Sequence, residues 1–255
     1  MRNKPRNLTP EELALVPRHI EKWKAIALST ERIDRQAVLE LLHFFYNQWD
    51  IRPDVRFFDS PYALLKAIST ELPREWDCYG EISFILSDEF DPLFSDQLDL
   101  ISPLSEFLNS LWRPVLDVMF KLPDIPREIA SGYCHDQVPQ VDLVYVCEFD
   151  FYSTVLGYSL SDTEQLARQM SQRLLSSCGW MFPLYEAVDE KGEEIEESEP
   201  GQDYCWICDR PTKILVDSES LLHAEGEPAI EFADGFAVWA HHGTLIYPPL
   251  AQSLS

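Results

Sequence analysis

The chain has 255 residues, of which 45% are hydrophobic and 12% aromatic, and this composition excludes an intrinsically disordered protein. Its 44 acidic residues outnumber its 20 basic ones, and a formal net charge of -24 disfavours direct binding to nucleic acid or to an anionic membrane. No apolar run of about 18 residues occurs, and the basic N-terminus is not followed by the apolar stretch of a secretory signal. We therefore expect a cytoplasmic protein, without a membrane span, whose six cysteines are free thiols.

The first part of the chain has the apolar spacing and the start signals of helices. Thr9 is a candidate N-cap, and Pro17 is expected to kink the helix that follows or to split it in two. Asp34 is the predicted cap of a second helix with a broad apolar stripe. Val55 to Phe58 predicts a short strand, and Ser60 with the following proline predicts the start of another helix.

The middle of the chain is less regular. Glu81 to Leu86 predicts a strand. Residues 96–120 have a helical apolar pattern, which Pro103 and Pro114 are expected to interrupt. Val141 to Phe149 is apolar enough to predict a buried strand.

A further helix is predicted after residue 160. Ser161 with Glu164 has the pattern of a capping box, and Gly179 is a suitable residue to end the helix. The segment from Asp189 to Asp203 then combines dense negative charge with glycine and proline. We expect a flexible acidic loop there, either without a role of its own or as a docking arm for a basic partner.

The C-terminal part changes to a β pattern. Strands are predicted at Lys213 to Val216, Ala229 to Phe232, Phe236 to His241 and Thr244 to Tyr247. Asp234-Gly235 is the strongest hairpin signal, because glycine tolerates the positive φ of a tight turn.

These elements predict an α+β fold in one domain. Residues 1–187 are expected to be mainly helical, residues 188–203 to form the acidic loop, and residues 204–250 to form a small antiparallel β-meander of hairpins. Helices and strands are segregated along the chain, which is typical of this fold class.

Several segments of the chain have distinctive motifs. They are WKAIALSTERIDRQAVLELLHFFY and FFDSPYA near the N-terminus, and FYSTVLG, SSCGWMFPLYEAV and CDRPTKILVDSESLLHAEGEPAIEFADGFAVWAHHG further on. Together they resemble the bacterial DUF6745 domain family. The family pattern has a W…aLsT…iDR element, a VLG…GWWWPFE stretch and a DRP…LH…GPA…DG…HG ending. The resemblance implies one domain over most of the chain, but it implies no reaction, since the function of the family is unknown.

The resemblance also singles out individual positions. The residues that match the family pattern are Trp23, Asp34, Arg35, Ser60, Pro61, Gly179, Trp180, Asp209, Arg210, Pro211, Leu222, His223, Pro228, Asp234, Gly235, His242 and Gly243. Two features depart from the pattern. Glu227 stands where the family has the glycine of Gly-Pro-Ala, and the acidic segment looks like an insertion.

A metal site is one candidate for the chemistry of the C-terminal part. Cys205 and Cys208 have the spacing of half a zinc site, and His223, His241 and His242 are the histidines nearest to them along the chain. Residues three apart in a strand point to opposite faces, however. We therefore expect no metal or other cofactor, and keep zinc as the alternative.

Histidine and arginine give candidates for catalysis or binding. His223 and His242 lie beside predicted turns, where we expect them to bond to the backbone, and a general base is the alternative. Arg210 precedes a proline and is expected to act as a loop clamp together with Asp209. Tryptophans 180, 206 and 239 are expected to cluster in the core. The candidate binding residues are Trp180, Arg210, His223, Asp234, Trp239 and His242.

Three classes of function fit these features. We favour a non-catalytic module that binds a protein partner, for which a basic protein is one candidate, through its sheet and its acidic surface. The first alternative is an enzyme of undefined reaction that uses His223, His242, Asp209 and Arg210. The second is an acidic mimic of nucleic acid that binds a DNA-binding protein. The sequence does not predict an oligomeric state.

Overall fold

The computed structural model describes residues 8–47, 51–72, 76–78, 102–125, 139–157, 159–186 and 203–247. The helices are α1 Pro10–Leu13, α2 Val16–Ala27, α3 Arg35–Tyr46, α4 Pro61–Glu71, α5 Ser102–Met119, α6 Pro139–Thr154 and α7 Asp162–Ser177. The strands are β1 Asp54–Phe58, β2 Trp76–Cys78, β3 Met181–Glu186, β4 Asp203–Cys208, β5 Lys213–Ile214, β6 Ile230–Glu231, β7 Ala237–Val238, β8 Ala240–His241 and β9 Thr244–Leu245.

The N-terminal helices begin where their capping residues predict. Thr9 forms a capping box at the start of α1, and Pro17 lies in the first turn of α2, so the predicted split of this segment is confirmed. The side chain of Asp34 accepts hydrogen bonds from the second and third residues after it, and that of Ser60 accepts one at the start of α4. Each cap satisfies N–H groups that have no partner inside the helix.

The prediction of a strand at residues 141–149 is wrong, because these residues belong to helix α6. Leu143, Val146 and Cys147 are buried, and so are Phe149 and Phe151. A helix that is buried on several sides shows no amphipathic stripe, and an apolar run in its sequence is indistinguishable from a buried strand. The predicted strand at residues 81–86 lies outside the described residues.

The two prolines do not interrupt helix α5. Pro103 occupies the second position of the helix, where a backbone N–H would have no partner inside it. Pro114 lies inside the helix, which continues to Met119. Leu111 and Val115 on either side of it are completely buried. We attribute the continuity to this packing, which offsets the cost of about 3 kcal/mol that an interior proline imposes.

The larger sheet joins parts of the chain that are far apart in sequence. Its strand order is β1-β4-β3-β2, with β1 parallel to β4 and the other two pairs antiparallel. Trp206 and Cys208 of β4 pack into the larger hydrophobic cluster, with residues of α2, α4, α5 and α6. Cys205 and Ile207 pack into a second cluster, with residues of α3 and α7. The two faces of β4 therefore contribute to separate parts of the core.

The C-terminal part consists of small antiparallel sheets, which confirms the α+β prediction. Strands β5, β6 and β7 form one sheet, and β8 pairs with β9. Residues 233–235 form the loop of the β6–β7 hairpin, in which Gly235 has φ +88. Ile230 and Phe232 are buried on one side of this hairpin, and Val238 and Ala240 are buried on the facing segment. No helix in the described ranges combines the length and the hydropathy that a membrane span requires.

Gly179 lies at the junction between α7 and β3, and a side chain cannot fit there. A Cβ atom at this position would lie 2.3 Å from the backbone oxygen of Cys208 and 2.9 Å from that of Asp209. Relief would require the backbone to move. We expect Gly179→Ala to lower the free energy of unfolding by about 3 kcal/mol, the upper end of the usual cost of overpacking, as measured by chemical denaturation.

Gly157→Ala is the matched comparison for this substitution. Gly157 has φ +67, but nothing lies within 4 Å of an added Cβ. Its substitution should cost only the conformational energy of a left-handed residue, about 1 kcal/mol. Equal losses of stability in the two variants would contradict the contact that we assign to Gly179.

Candidate functional site

A two-residue turn presents His242 at the tip of the last described hairpin. His241 pairs with Thr244 across β8 and β9, so that His242 and Gly243 form the loop. Their φ angles are +45 and +73, and a turn with positive φ at both positions matches the right-handed twist of the strands that it joins. The strands thus position a histidine where an L residue is uncommon.

Backbone hydrogen bonds bring His223 to this turn. The N–H of Ala224 donates to the oxygen of Ala240 over 3.0 Å, and the N–H of Gly243 donates to the oxygen of Leu222 over 2.9 Å. These two bonds flank His223 and fix it beside the hairpin.

The three histidine rings form one cluster. The ring centroids of His223 and His242 are 4.1 Å apart and the rings are nearly stacked, while His241 lies 4.7 Å from His223 and 4.6 Å from His242. One ligand nitrogen of each ring lies within 4.8 Å of the other two. His241 and His242 are exposed, and His223 is half-buried. The sequence analysis named these three histidines as candidates, but it did not predict that their rings form one cluster.

Asp217 orients the imidazole of His242. Its Oδ2 lies 2.6 Å from Nδ1 of His242, while its Oδ1 accepts hydrogen bonds from the backbone N–H groups of Glu219 and Leu221. The hydrogen bond to His242 is the main cause that lowers the pKa of Asp217 below its ordinary value. A carboxylate partner requires Nδ1 of His242 to carry the proton, so Nε2 keeps a free lone pair.

A second hydrogen bond sets the tautomer of His223. The backbone N–H of His242 donates to Nδ1 of His223 over 3.2 Å. The neutral His223 ring therefore carries its proton on Nε2. Of these two rings, the neutral His242 is therefore the one whose second nitrogen, Nε2, keeps a lone pair for a metal ion.

The structure does not bring Cys205 and Cys208 together. They lie on opposite faces of β4 and pack into different clusters, and both are completely buried. Burial raises the pKa of Cys205 to about 12 and that of Cys208 further. Protonated, separated thiols are poor ligands and poor nucleophiles. Of the six cysteines, the four whose side chains are described are free thiols.

Arg210 clamps the end of helix α7. Its Nε donates to the oxygen of Cys178 over 3.2 Å, and its Nη2 donates to those of Leu175 and Ser176 over 3.4 and 2.5 Å. Its Nη1 donates to Oγ of Ser29 over 3.0 Å. Burial lowers the pKa of this guanidinium below its ordinary value. Carbonyl groups at a helix end lack partners inside the helix, and Arg210 supplies donors for them.

Asp209 is also buried and bonded within the fold. Its Oδ1 accepts the backbone N–H groups of Ile33 and Arg210 over 3.1 and 2.9 Å. Its Oδ2 lies 2.8 Å from Nη2 of Arg32. Asp209 and Arg210 therefore hold loops together, as a clamp does, and are not members of the histidine cluster.

The remaining candidate residues occupy other places. Asp234 accepts a hydrogen bond of 2.5 Å from Oγ of Ser60, and so ties the β6–β7 loop to the start of α4. Trp180 is buried against Trp112, with ring centroids 5.7 Å apart. Trp239 is half-buried. None of these three candidates forms part of the histidine cluster.

Asp217 is the functional residue that the sequence analysis missed. It lies just after the predicted strand at Lys213 to Val216, and its partner His242 is 25 residues away. An aspartate at a turn gives no sign of such a partner, since its usual role is to bond to its own backbone. Asp217 forms these backbone bonds with Oδ1, so its Oδ2 is left for His242.

Comparisons with known proteins add no further information. No protein-family model, curated protein or solved structure matches this chain. The resemblance to the DUF6745 family stays a prediction, and function has to be argued from the site itself.

The clamp predicts a loss of stability when Arg210 is replaced. A buried acceptor left without a partner costs about 1–3 kcal/mol, and Arg210→Met leaves several of them. We therefore expect the free energy of unfolding to fall by about 3 kcal/mol in chemical denaturation. Arg18→Gln, at an exposed position on α2, should change it by less than about 0.5 kcal/mol. A stable Arg210→Met variant would contradict the structural role.

The pair of Asp217 and His242 predicts a pH dependence. The pKa of Asp217 is lowered in the folded state, so the pair stabilises the fold above the ordinary aspartate pKa of 3.8 and loses this contribution as the pH falls through the lowered value. In His242→Asn, the pKa of Asp217 should rise toward 3.8, as measured by carboxyl NMR titration. Identical titration curves in the two proteins would show that His242 does not lower it.

Proposed function

We propose that this protein binds a transition-metal ion of the zinc class through His223, His241 and His242. The observation that carries the proposal is the cluster itself, in which ligand nitrogens from two separate segments of the chain lie within 4.8 Å of one another. Three imidazoles form a donor set suited to Zn²⁺, Cu²⁺ and Ni²⁺. The formal net charge of -24 also attracts divalent cations to the molecule.

The hydrogen bonds around the cluster favour coordination by His242. Its Nδ1 is bonded to Asp217, and its Nε2 is left for the ion. Metal-bound histidines usually donate their second ring N–H to a carboxylate or a carbonyl, which fixes the orientation of the ring and makes it a better donor. Asp217 is in the right place for that role.

His223 requires a small rearrangement to bind the same ion. Its Nδ1 accepts a long hydrogen bond of 3.2 Å from the backbone of His242, and this bond must be given up if the ion binds Nδ1 or if the proton moves there from Nε2. A net hydrogen bond is worth about 0.5–1.5 kcal/mol. That cost is small beside the apparent free energy of about 10–16 kcal/mol with which structural zinc sites bind their ion.

Three protein ligands leave at least one coordination position open. His241 and His242 are exposed, so an ion there would face solvent and could take water or a donor atom from another molecule. This exposure to solvent supports ion binding as the function more strongly than it supports catalysis in a site that excludes water. The interaction module, the enzyme and the nucleic-acid mimic stay predictions, and the first of them is compatible with a partner that supplies the last ligand.

Titration of untagged protein with Zn²⁺, and with Co²⁺ as a spectroscopic probe, tests the proposal. We expect one equivalent to bind, with the visible absorption of a Co²⁺ ion bound by nitrogen ligands. His223→Ala and His242→Asn should each abolish this signal, and Asp217→Asn should weaken binding by about 10–100-fold. Asparagine is chosen at position 242 because it tolerates the φ of +45.

His43→Ala is the matched control, since His43 is exposed on α3 and does not belong to the cluster. It should bind the ions as the unaltered protein does. The proposal fails if the folded protein takes up no ion at micromolar concentrations. It also fails if His43→Ala weakens binding as much as His223→Ala.

A further inference from the structure

Helices α2 and α7 line an open cleft on the surface of the protein. Its volume is about 400 Å³, and it is lined by Lys22, Trp23 and Ile26 from α2 and by Gln169, Gln172 and Arg173 from α7. Ligand pockets typically measure about 300–1,000 Å³. The lining combines two cations and two amides with an apolar floor, and it includes no carboxylate among the residues that the structure describes.

The charge around this cleft is positive, in contrast to the chain as a whole. Asp150 of α6 is buried and lies 2.6 Å from Nζ of Lys22 and 3.0 Å from Nη1 of Arg168. Burial alone would raise the pKa of Asp150, but the hydrogen bond and the charge of Lys22 outweigh this effect and lower it. Arg173 has no ion-pair partner in the described part of the chain. Lys22 and Arg168 therefore share one carboxylate, and Arg173 is the cation of the cleft lining that is not bonded to it.

The end of helix α7 does not cancel this positive charge. The last carbonyl groups of a helix carry partial negative charge and repel anions. Here Arg210 donates to the carbonyl groups of Leu175 and Ser176, and its own charge offsets theirs. Ser176 is also part of the cleft lining, so this offset acts at the cleft itself.

Trp23 lines the inner side of the cleft but is almost completely buried. Its indole Nε1–H is enclosed and has no acceptor among the described residues. Ile26 is half-buried and offers apolar surface to an occupant.

We propose that this cleft binds a small organic monocarboxylate. The carboxylate group would bond to Arg173, whose guanidinium matches its two oxygens, with Lys22 as a second cation. The apolar part of the ligand would pack on Ile26 and Trp23. A single negative charge is favoured because a chain of net charge -24 repels polyanions. The residues involved are separate from the histidine cluster, so the two proposals stand independently.

Benzoate and its neutral analogue benzamide test the charge and the shape of the cleft together. We expect benzoate to bind with a millimolar or lower Kd, and to shift the indole N–H resonance of Trp23 in NMR spectra. Benzamide should bind at least about tenfold more weakly, because it cannot form a charge-assisted bond to Arg173. Trp23→Phe assigns the resonance.

Arg173→Gln is the decisive variant, since Arg173 is exposed and its loss should leave the fold intact. It should weaken benzoate binding by about 10–100-fold, whereas Arg18→Gln, at an exposed position of helix α2 outside the cleft lining, should not. Circular dichroism confirms that both variants are folded. Equal affinity for benzoate and benzamide, or unchanged benzoate binding in Arg173→Gln, would overturn the proposal. Inorganic phosphate that binds as tightly as benzoate would overturn the assignment to a monocarboxylate.

Discussion

The junction of β4 with the end of α7 is the contact on which the rest of the molecule depends. Strand β4 ends at Cys208, and the next two residues place a buried carboxylate and a buried guanidinium against the loops after α2 and α7. The close approach at Gly179 allows these bonds to form. Because β5 begins only three residues after Arg210, the same junction sets the starting direction of all the C-terminal hairpins.

Both proposed sites depend on this junction. The histidine cluster lies on hairpins that leave it, and the cleft beside α7 has its anion-repelling helix end neutralised by Arg210. Arg210 can therefore be one of the most distinctive residues of the sequence and still have a purely structural role. Arg210 and Asp209 touch neither the ion nor the carboxylate that we propose, yet they fix the elements that would hold them.

Local signals in the sequence predict much of this fold, because their physics is local. The caps at Thr9, Asp34 and Ser60 and the hairpin at Asp234-Gly235 each depend on a few neighbouring residues. The opposite orientation of Cys205 and Cys208 follows from the geometry of a strand alone.

Long-range features could not be predicted in this way. Strand β1 pairs in parallel with β4 about 150 residues later, and no local pattern shows that partner. Helix α6 was mistaken for a strand because burial on several sides removes its periodicity. Lys22 and Asp150 are bonded across 128 positions of the chain, so the sequence could not predict the cleft either.

The histidine cluster connects the proposed function to the stability of the C-terminal part. Strands β5 to β9 contain two residues each, and sheets of this size are marginal without further support. Phe232 and Val238 anchor the first hairpin in the core, but β8 and β9 extend beyond it to the exposed His242. An ion shared by His223 and His242 would add a cross-link between two segments that hydrogen bonds and ring stacking already join. Its binding free energy would then add to the stability of this segment, since the unfolded chain offers no such site.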